Sequence, residues 1–337
     1  MATLLTTIPS LAFLHELDVI QFQAGEDEYD VEISVSVAGQ TVLETVLVFD
    51  TDGLAGLDDM ATFLTDHLKT QSAFTLKYGE TTVSSTLLPC RLEIRETAAE
   101  FCPKSFLTAL QGKKVTAYGC KEFLSIYATA AEKGTVTFLS VDAEGNVKST
   151  SKEIAHKTNT KGIYTYDVSA AIFDPGADGA NGLLQYTVRV GDRRQDFVLM
   201  PDTYGGKCIF FHNGFGCLES FYFCEVERVA KPTRHNSVFA GQYMNYLVTE
   251  NTTYKGISRP LSESEVMLAD DIVHACELWM QGTEIPLAVT DNELKTLSSA
   301  EDMPRLSLTW RTSRARTPFV PVRPVRTFDV TFDKTFF

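Results

Sequence analysis

Tryptophan is scarce in this chain, with two in 337 residues, and the seven cysteines form an odd set with no CxxC pair. Without paired soft ligands, neither a zinc site nor a disulfide framework is expected. Several of the cysteines, Cys217 and Cys224 among them, sit inside apolar stretches, where a thiol behaves as a small hydrophobe. There is no GxSxG elbow, no HExxH, no Walker loop and no dinucleotide fingerprint. The six histidines are scattered without the spacing of helical metal ligands. No catalytic residue, metal site or cofactor is therefore assigned, and the chain is expected not to be an enzyme. No apolar run is long enough to cross a bilayer, so membrane insertion is not expected. The opening MATLLTTIPSLAFLHELD has no basic residue ahead of its short apolar run, which argues against a secretory signal and for synthesis in a reducing cytoplasm. The sequon at Asn251 carries no weight without such a signal. Positive charge is also short: 30 Lys and Arg face 44 Asp and Glu, a formal net charge of -14. Phosphate is repelled by such a body, which excludes nucleic acid as the main partner.

What is present is a folded, strand-rich chain. Hydrophobic residues make up 44% of it, well above the disordered regime. The length favours two or three domains, divided here as 1–105, 106–204 and 205–337. The strongest local signal is Ile209 to Glu225, IFFHNGFGCLESFYFCE. Two aromatic runs flank Asn213-Gly214 and Gly216, which supply the positive φ values of a tight hairpin. Both faces of the outgoing arm carry apolar residues, as in a strand covered on two sides. Such a hairpin is either the middle of a core or the foot of an interface, and Phe215, Phe221 and Phe223 are its interface candidates.

Before it, Asp30 to Asp50 alternates as a hairpin with one wet face. Asp50-Thr-Asp52-Gly53 reads as a turn into a short helix with Leu57, Met60, Leu64 and Leu68 at helical spacing, capped by Asp58 or Asp59. The same string resembles a calcium loop but lacks the third early ligand and the closing Glu. Strands are expected at 74–78, 82–88 and 90–94. A second set follows at 115–118, 123–128, 136–141, 162–168, 183–190 and 195–200, with Asp142 to Asn146 as a hairpin turn. After a polar span from Val229 to Pro260, Ser262 and Glu265 form a capping box with Leu261 as staple. A stripe of Val266, Ala269, Ile272 or Val273, Cys276 and Trp279 or Met280 extends that helix over 262–280. Strands are placed at 285–289 and 306–310, separated by a turn at Thr290-Asp291-Asn292. The fold class is mainly β: two or three β-sandwich-like modules of immunoglobulin or fibronectin type, with few helices.

The ending changes character. Arg314, Arg316, Arg323 and Arg326 interleave with Pro318, Pro321 and Pro324, and the chain closes on TFDVTFDKTFF with Phe336 and Phe337. Proline favours an extended edge segment and arginine suits carboxylates. This stretch is either an arm that docks on a neighbour or a last strand folded back on the third unit.

The strings FHNGFGCLESFYF, GQYMNYLVTENTTYKGISRPLSESEVMLADDIVHACELWM, PLAVTDNELKTL and LSLTWRTSRA resemble tail-associated structural proteins of phages and prophages from gut Bacteroidetes. The segment VEISVSVAGQTVLETVLVFDTDGLAGLDDMATFL is similar to their N-terminal part. The resemblance implies a virion part of the tail or baseplate, made in the host cytoplasm and acting by assembly with itself and other tail proteins. It implies no activity. Cys217 and the Arg/Pro-rich ending depart from it. The alternative is a glycan- or receptor-binding module at the tail tip, which a solvent-facing cleft of Tyr, Asn and Asp would favour over buried aromatics.

Overall fold

The structure is a computed structural model that describes residues 2–110, 112–142, 144–155, 160–173, 182–200, 206–239, 242–283, 285–295 and 303–312. It is mainly β, with six sheets among the described residues.

The first strands are β1 (Thr3–Leu4), β2 (Leu11–Phe13), β3 (Ile20–Gln23), β4 (Asp30–Val37), β5 (Gln40–Val48) and β6 (Leu54–Leu57). Helix α1 (Met60–Thr65), β7 (Ser72–Tyr78), β8 (Thr81–Leu88) and α2 (Ala98–Phe101) follow. A five-stranded sheet, β2-β8-β7-β4-β5, and a three-stranded one, β1-β3-β6, share one core. Val31, Ile33, Val35 and Val37 face inward along β4, against Ile20, Phe22, Met60 and Leu64. The period of two along β4 buries those residues because only one face of this sheet is covered.

The second group is β9 (Lys113–Ala117), β10 (Phe123–Ala128), β11 (Lys133–Val141), β12 (Val147–Ala155) and β13 (Gly162–Asp167), then α3 (Ala170–Phe173), β14 (Leu183–Val190) and β15 (Arg193–Met200). The sheet β12-β11-β14-β15-β9 packs on the pair β10-β13 around Ile126, Val136, Tyr186 and Phe197. The Tyr186 and Phe197 rings stack with centroids 4.6 Å apart. The Asp142 turn closes β11 onto β12, its Oδ1 accepting from the N–H groups of Glu144 and Asn146.

The third group holds β16 (Lys207–His212), β17 (Leu218–Phe223), β18 (Glu225–Phe239), β19 (Gln242–Ile257), α4 (Glu263–His274), β20 (Leu278–Met280), β21 (Leu287–Lys295) and β22 (Arg305–Thr312). Sheets β17-β16-β20 and β18-β19-β22-β21 meet α4 around Phe223, Leu268, Ile272 and Trp310. Gly256 makes room for Trp310: a Cβ there would lie 2.7 Å from the indole and 2.9 Å from Phe223.

The structure corrects several local expectations. The polar span at 229–260 is largely the long hairpin β18–β19, whose residues from Glu227 to Val238 are mostly exposed where their burial is described. Period-two burial is weak where both faces are wet, which hid it. Helix α4 stops at His274, leaving Cys276 exposed and placing Trp279 and Met280 in β20, where Trp279 pairs with Phe210. Leu57 ends β6 rather than opening α1. Asp59, at φ 57°, does not cap that helix with its side chain; Asp18 accepts from the N–H groups of Met60 and Ala61 instead. Residues 90–94 form no strand, and Asp291 and Asn292 lie inside β21, not in a turn. Asp50 holds a β5–β6 turn, its Oδ1 accepting from the N–H groups of Asp52 and Leu54.

Candidate functional site: the junction hairpin and the projecting ribbon

The Asn-Gly hairpin β16–β17 is where the groups of strands meet. Phe215 at its tip is buried and lies 5.7 Å from Phe13 and 5.5 Å from Phe101, ring centroid to centroid. Cys90, Cys102, Leu107, Tyr127 and Cys217 belong to the same cluster. Asn213 builds the turn, its Oδ1 accepting from the N–H groups of Phe215 and Cys217. Contrary to the expectation from Asn-Gly, neither Asn213 nor Gly214 takes a positive φ; Gly216 does, at +68°, and a Cβ there would sit 2.3 Å from the Lys69 carbonyl oxygen. The turn is thus pressed against the first group, with backbone as its stop.

One face of β16 supplies Ile209 and Phe211 to the third core; the other supplies Cys208 and Phe210 to a contact with Ala117 and Cys120. Phe221 and Phe223, on β17, are interior to the third core. The three phenylalanines offered as interface candidates are therefore core residues, because the hairpin is covered on both faces by its own chain. Arg314, Arg316, Arg323, Arg326, Phe336 and Phe337 lie outside the described residues.

Behind the aromatics is a buried polar knot that composition and periodicity did not reveal. Lys114 on β9 donates its Nζ to Glu122 Oε2 at 2.6 Å and to the backbone oxygen and Oγ of Ser220 on β17, at 2.6 and 3.1 Å. Thr116 Oγ1 donates to Glu122 Oε1 at 2.5 Å. Beside them Glu219 accepts from Thr108 Oγ1 at 2.7 Å and Asn213 Nδ2 at 2.8 Å. Burial works against the Lys114 ammonium, but Glu122 and Glu219 outweigh it and hold its pKa above the ordinary lysine value. Burial pushes the Glu219 carboxyl up, offset in part by Lys114 and its hydrogen bonds. Arg193 makes a second tie, donating to the carbonyls of Cys102 and Tyr127 and to Glu132. Glu265 goes beyond its capping box, accepting from the Val115 N–H at 2.8 Å and so fastening α4 to β9. A lone Ser-x-x-Glu signal could locate the helix start but not this cross-link.

Asp271 on α4 accepts from the Gly214 N–H at 3.1 Å. Burial, then Glu219, raise its carboxyl to about 7. Between 3.8 and that value the folded chain holds a proton the unfolded chain releases, so stability declines as pH rises through this window. The full span corresponds to about 4 kcal/mol. Asp271→Asn is expected to remove this slope and to raise the denaturant midpoint at pH 8. An unchanged pH profile from urea titrations would rule the assignment out.

The other feature is the ribbon. Strand β18 pairs only with β19 among the described residues, and β19 meets β22 only from Tyr254 to Ile257. Val229 to Phe239 therefore runs in a two-stranded projection, about 35 Å long at a typical strand rise. Lys231, Pro232, Thr233 and Arg234 are exposed along its outer edge, as is Val238 near its end. Proline and cations on an edge suppress indiscriminate strand pairing.

On the outer face of the first group, Glu32, Ser34, Glu44, Thr45, Val46 and Lys77 line an open trough of about 520 Å³. Among the described residues no three His, Cys, Asp or Glu side chains converge as a metal set, and no helix is long and apolar enough to cross a membrane.

No family model matches the chain, and no curated protein matches it. Among the solved structures weakly similar to this chain, two cover most of it. One is described as "Structural insight into host cell surface retention of a 1.5-MDa bacterial ice-binding adhesin", with 10% identity and TM-score 0.18, covering 75% of this chain and 95% of that one. The other is "Crystal structure of tetra-tandem repeat in extending region of large adhesion protein", with 10% identity and TM-score 0.19, covering 89% of this chain and 80% of that one. Likeness this low says nothing about what this chain does.

Proposed function

We propose that this protein is a non-enzymatic structural part of a phage tail or baseplate, made in the bacterial cytoplasm and working by assembly with copies of itself and other tail proteins. The observation that carries the reading is the β18–β19 ribbon. A two-stranded ribbon in water is marginal alone, and a third strand, from a neighbouring subunit, completes it along the proline-free β19 edge rather than the guarded β18 edge. The buried junction supports the same role: a body whose junction aromatics are buried, and whose groups of strands are bonded to each other, can transmit load and hold the ribbon in place.

The glycan-binding alternative rests on the trough over β4, β5 and β7, where carboxylates and hydroxyls converge. Its lining residues include no aromatic ring on which a sugar could stack. Assembly is the better-supported reading.

Removing Lys231 to Asn251 and joining Ala230 to Thr252 through Asn-Gly separates these readings. The expected result is an unchanged melting midpoint with loss of higher-mass species in light scattering, alone or with companion tail proteins. If the full chain is a monodisperse monomer that recruits no companion, or if the shortened chain assembles as before, the proposal is wrong.

A further inference from the structure

All seven cysteines are free thiols. Two of them lie together where the second group of strands meets the third. Cys120 lies in the turn after β9, and Cys208 lies 88 residues later on β16, in a different group of strands. Gln281 clamps the two backbones together. Its Nε2 donates to the Gly119 carbonyl at 2.8 Å, its Oε1 accepts from the Lys121 N–H at 2.9 Å, and its own N–H donates to the Cys208 carbonyl at 3.0 Å. The Cys208 Sγ lies 3.9 Å from the carbonyl oxygen of Lys121, the residue next to Cys120, and both thiols are buried in one cluster with Ala117 and Phe210. A cavity of about 260 Å³, lined in part by Gly119, Cys120, Lys207, Cys208, Tyr222 and Met280, opens beside them.

We propose that Cys120 and Cys208 form a reversible redox clamp, closing into a disulfide that ties the second group of strands to the third. Hydrogen peroxide, which the cavity can admit, is the oxidant. One sulfur attacks a peroxide oxygen, the O–O bond breaks, and a sulfenic acid forms as water leaves. The second sulfur attacks the sulfenic sulfur, the S–O bond breaks, and a second water carries away the remaining oxygen and thiol proton. Each sulfur is oxidised by one electron, and the peroxide is reduced to two waters. The Cys120 hydrogen bond, then burial, hold the Cys208 thiol well above its ordinary pKa, so closure is slow at neutral pH and accelerates in alkali. Because the bond would close a long loop of the unfolded chain, it raises the unfolding midpoint.

The test uses the full chain with Cys276→Ser, which removes the exposed thiol. The native protein is treated with hydrogen peroxide, alkylated, and mapped by non-reducing peptide mass spectrometry. Expected are one cross-linked pair joining Cys120 to Cys208, a mass loss of about 2 Da, a higher denaturant midpoint, and reversal of all three by dithiothreitol. Cys120→Ser should abolish the cross-link and the shift while leaving the reduced midpoint in place. If that variant does not fold, Cys208→Ala serves instead. A cross-link among Cys90, Cys102 and Cys217, no cross-link at all, or one that lowers the midpoint overturns the proposal.

Discussion

Lys114→Met should destabilise the protein by about 3–5 kcal/mol, a large share of the stability of a typical domain. Lys114 is 4% exposed and its ammonium is shared by Glu122 and Ser220, with Glu219 close by. The thioether removes the charge but keeps most of the volume, so the loss measures two carboxyl groups left buried without their cation. Lys114→Met combined with Glu122→Gln should recover part of the deficit, since one of those groups is then neutral. Guanidinium unfolding followed by fluorescence reads both. A loss below about 1 kcal/mol for the single variant would mean the knot is solvated and not a keystone.

Gly216→Ala is expected to cost about 2–5 kcal/mol, from left-handed backbone strain together with overpacking. The added methyl meets the Lys69 carbonyl, a backbone atom that cannot swing aside as a side chain would. The hairpin tip must back away, pulling Phe215 off Phe13 and Phe101. Gly39→Ala is the control. It has a similar φ of +78° with nothing within 4 Å, so it should show the backbone strain alone. Equal losses for the two variants would mean that the contact with the first group contributes nothing.

Much of the fold could be read along the chain, and the reason is burial on one face. In β4 and β11 the inward residues alternate with outward ones, so hydrophobicity itself marks the strand. The places of the Asp142 and Asn213 turns were legible too, because a short side chain bonding its own backbone is a local event, although at Asn213 that bond, and not a positive φ at Asn-Gly, makes the turn. The capping box at Ser262 belongs with them. The β18–β19 ribbon was not legible: with water on both sides, alternation has nothing to report, and only the pairing of the two strands defines it.

The site divides along the same line. Sequence alone determined that Ile209 to Glu225 is a hairpin covered on two faces, since its apolar residues do not alternate with polar ones. It left open whether the cover was another subunit or the chain itself. Only the tertiary structure decided that, by seating Phe215 against Phe13 and Phe101, residues more than a hundred positions away. The same holds for Lys114, Glu122 and Glu219, and for Cys120 and Cys208, which no local pattern along the chain brings together. Periodicity reports how much of a strand is hidden; it carries no information about which distant atoms do the hiding, because packing partners are chosen by the path of the whole chain.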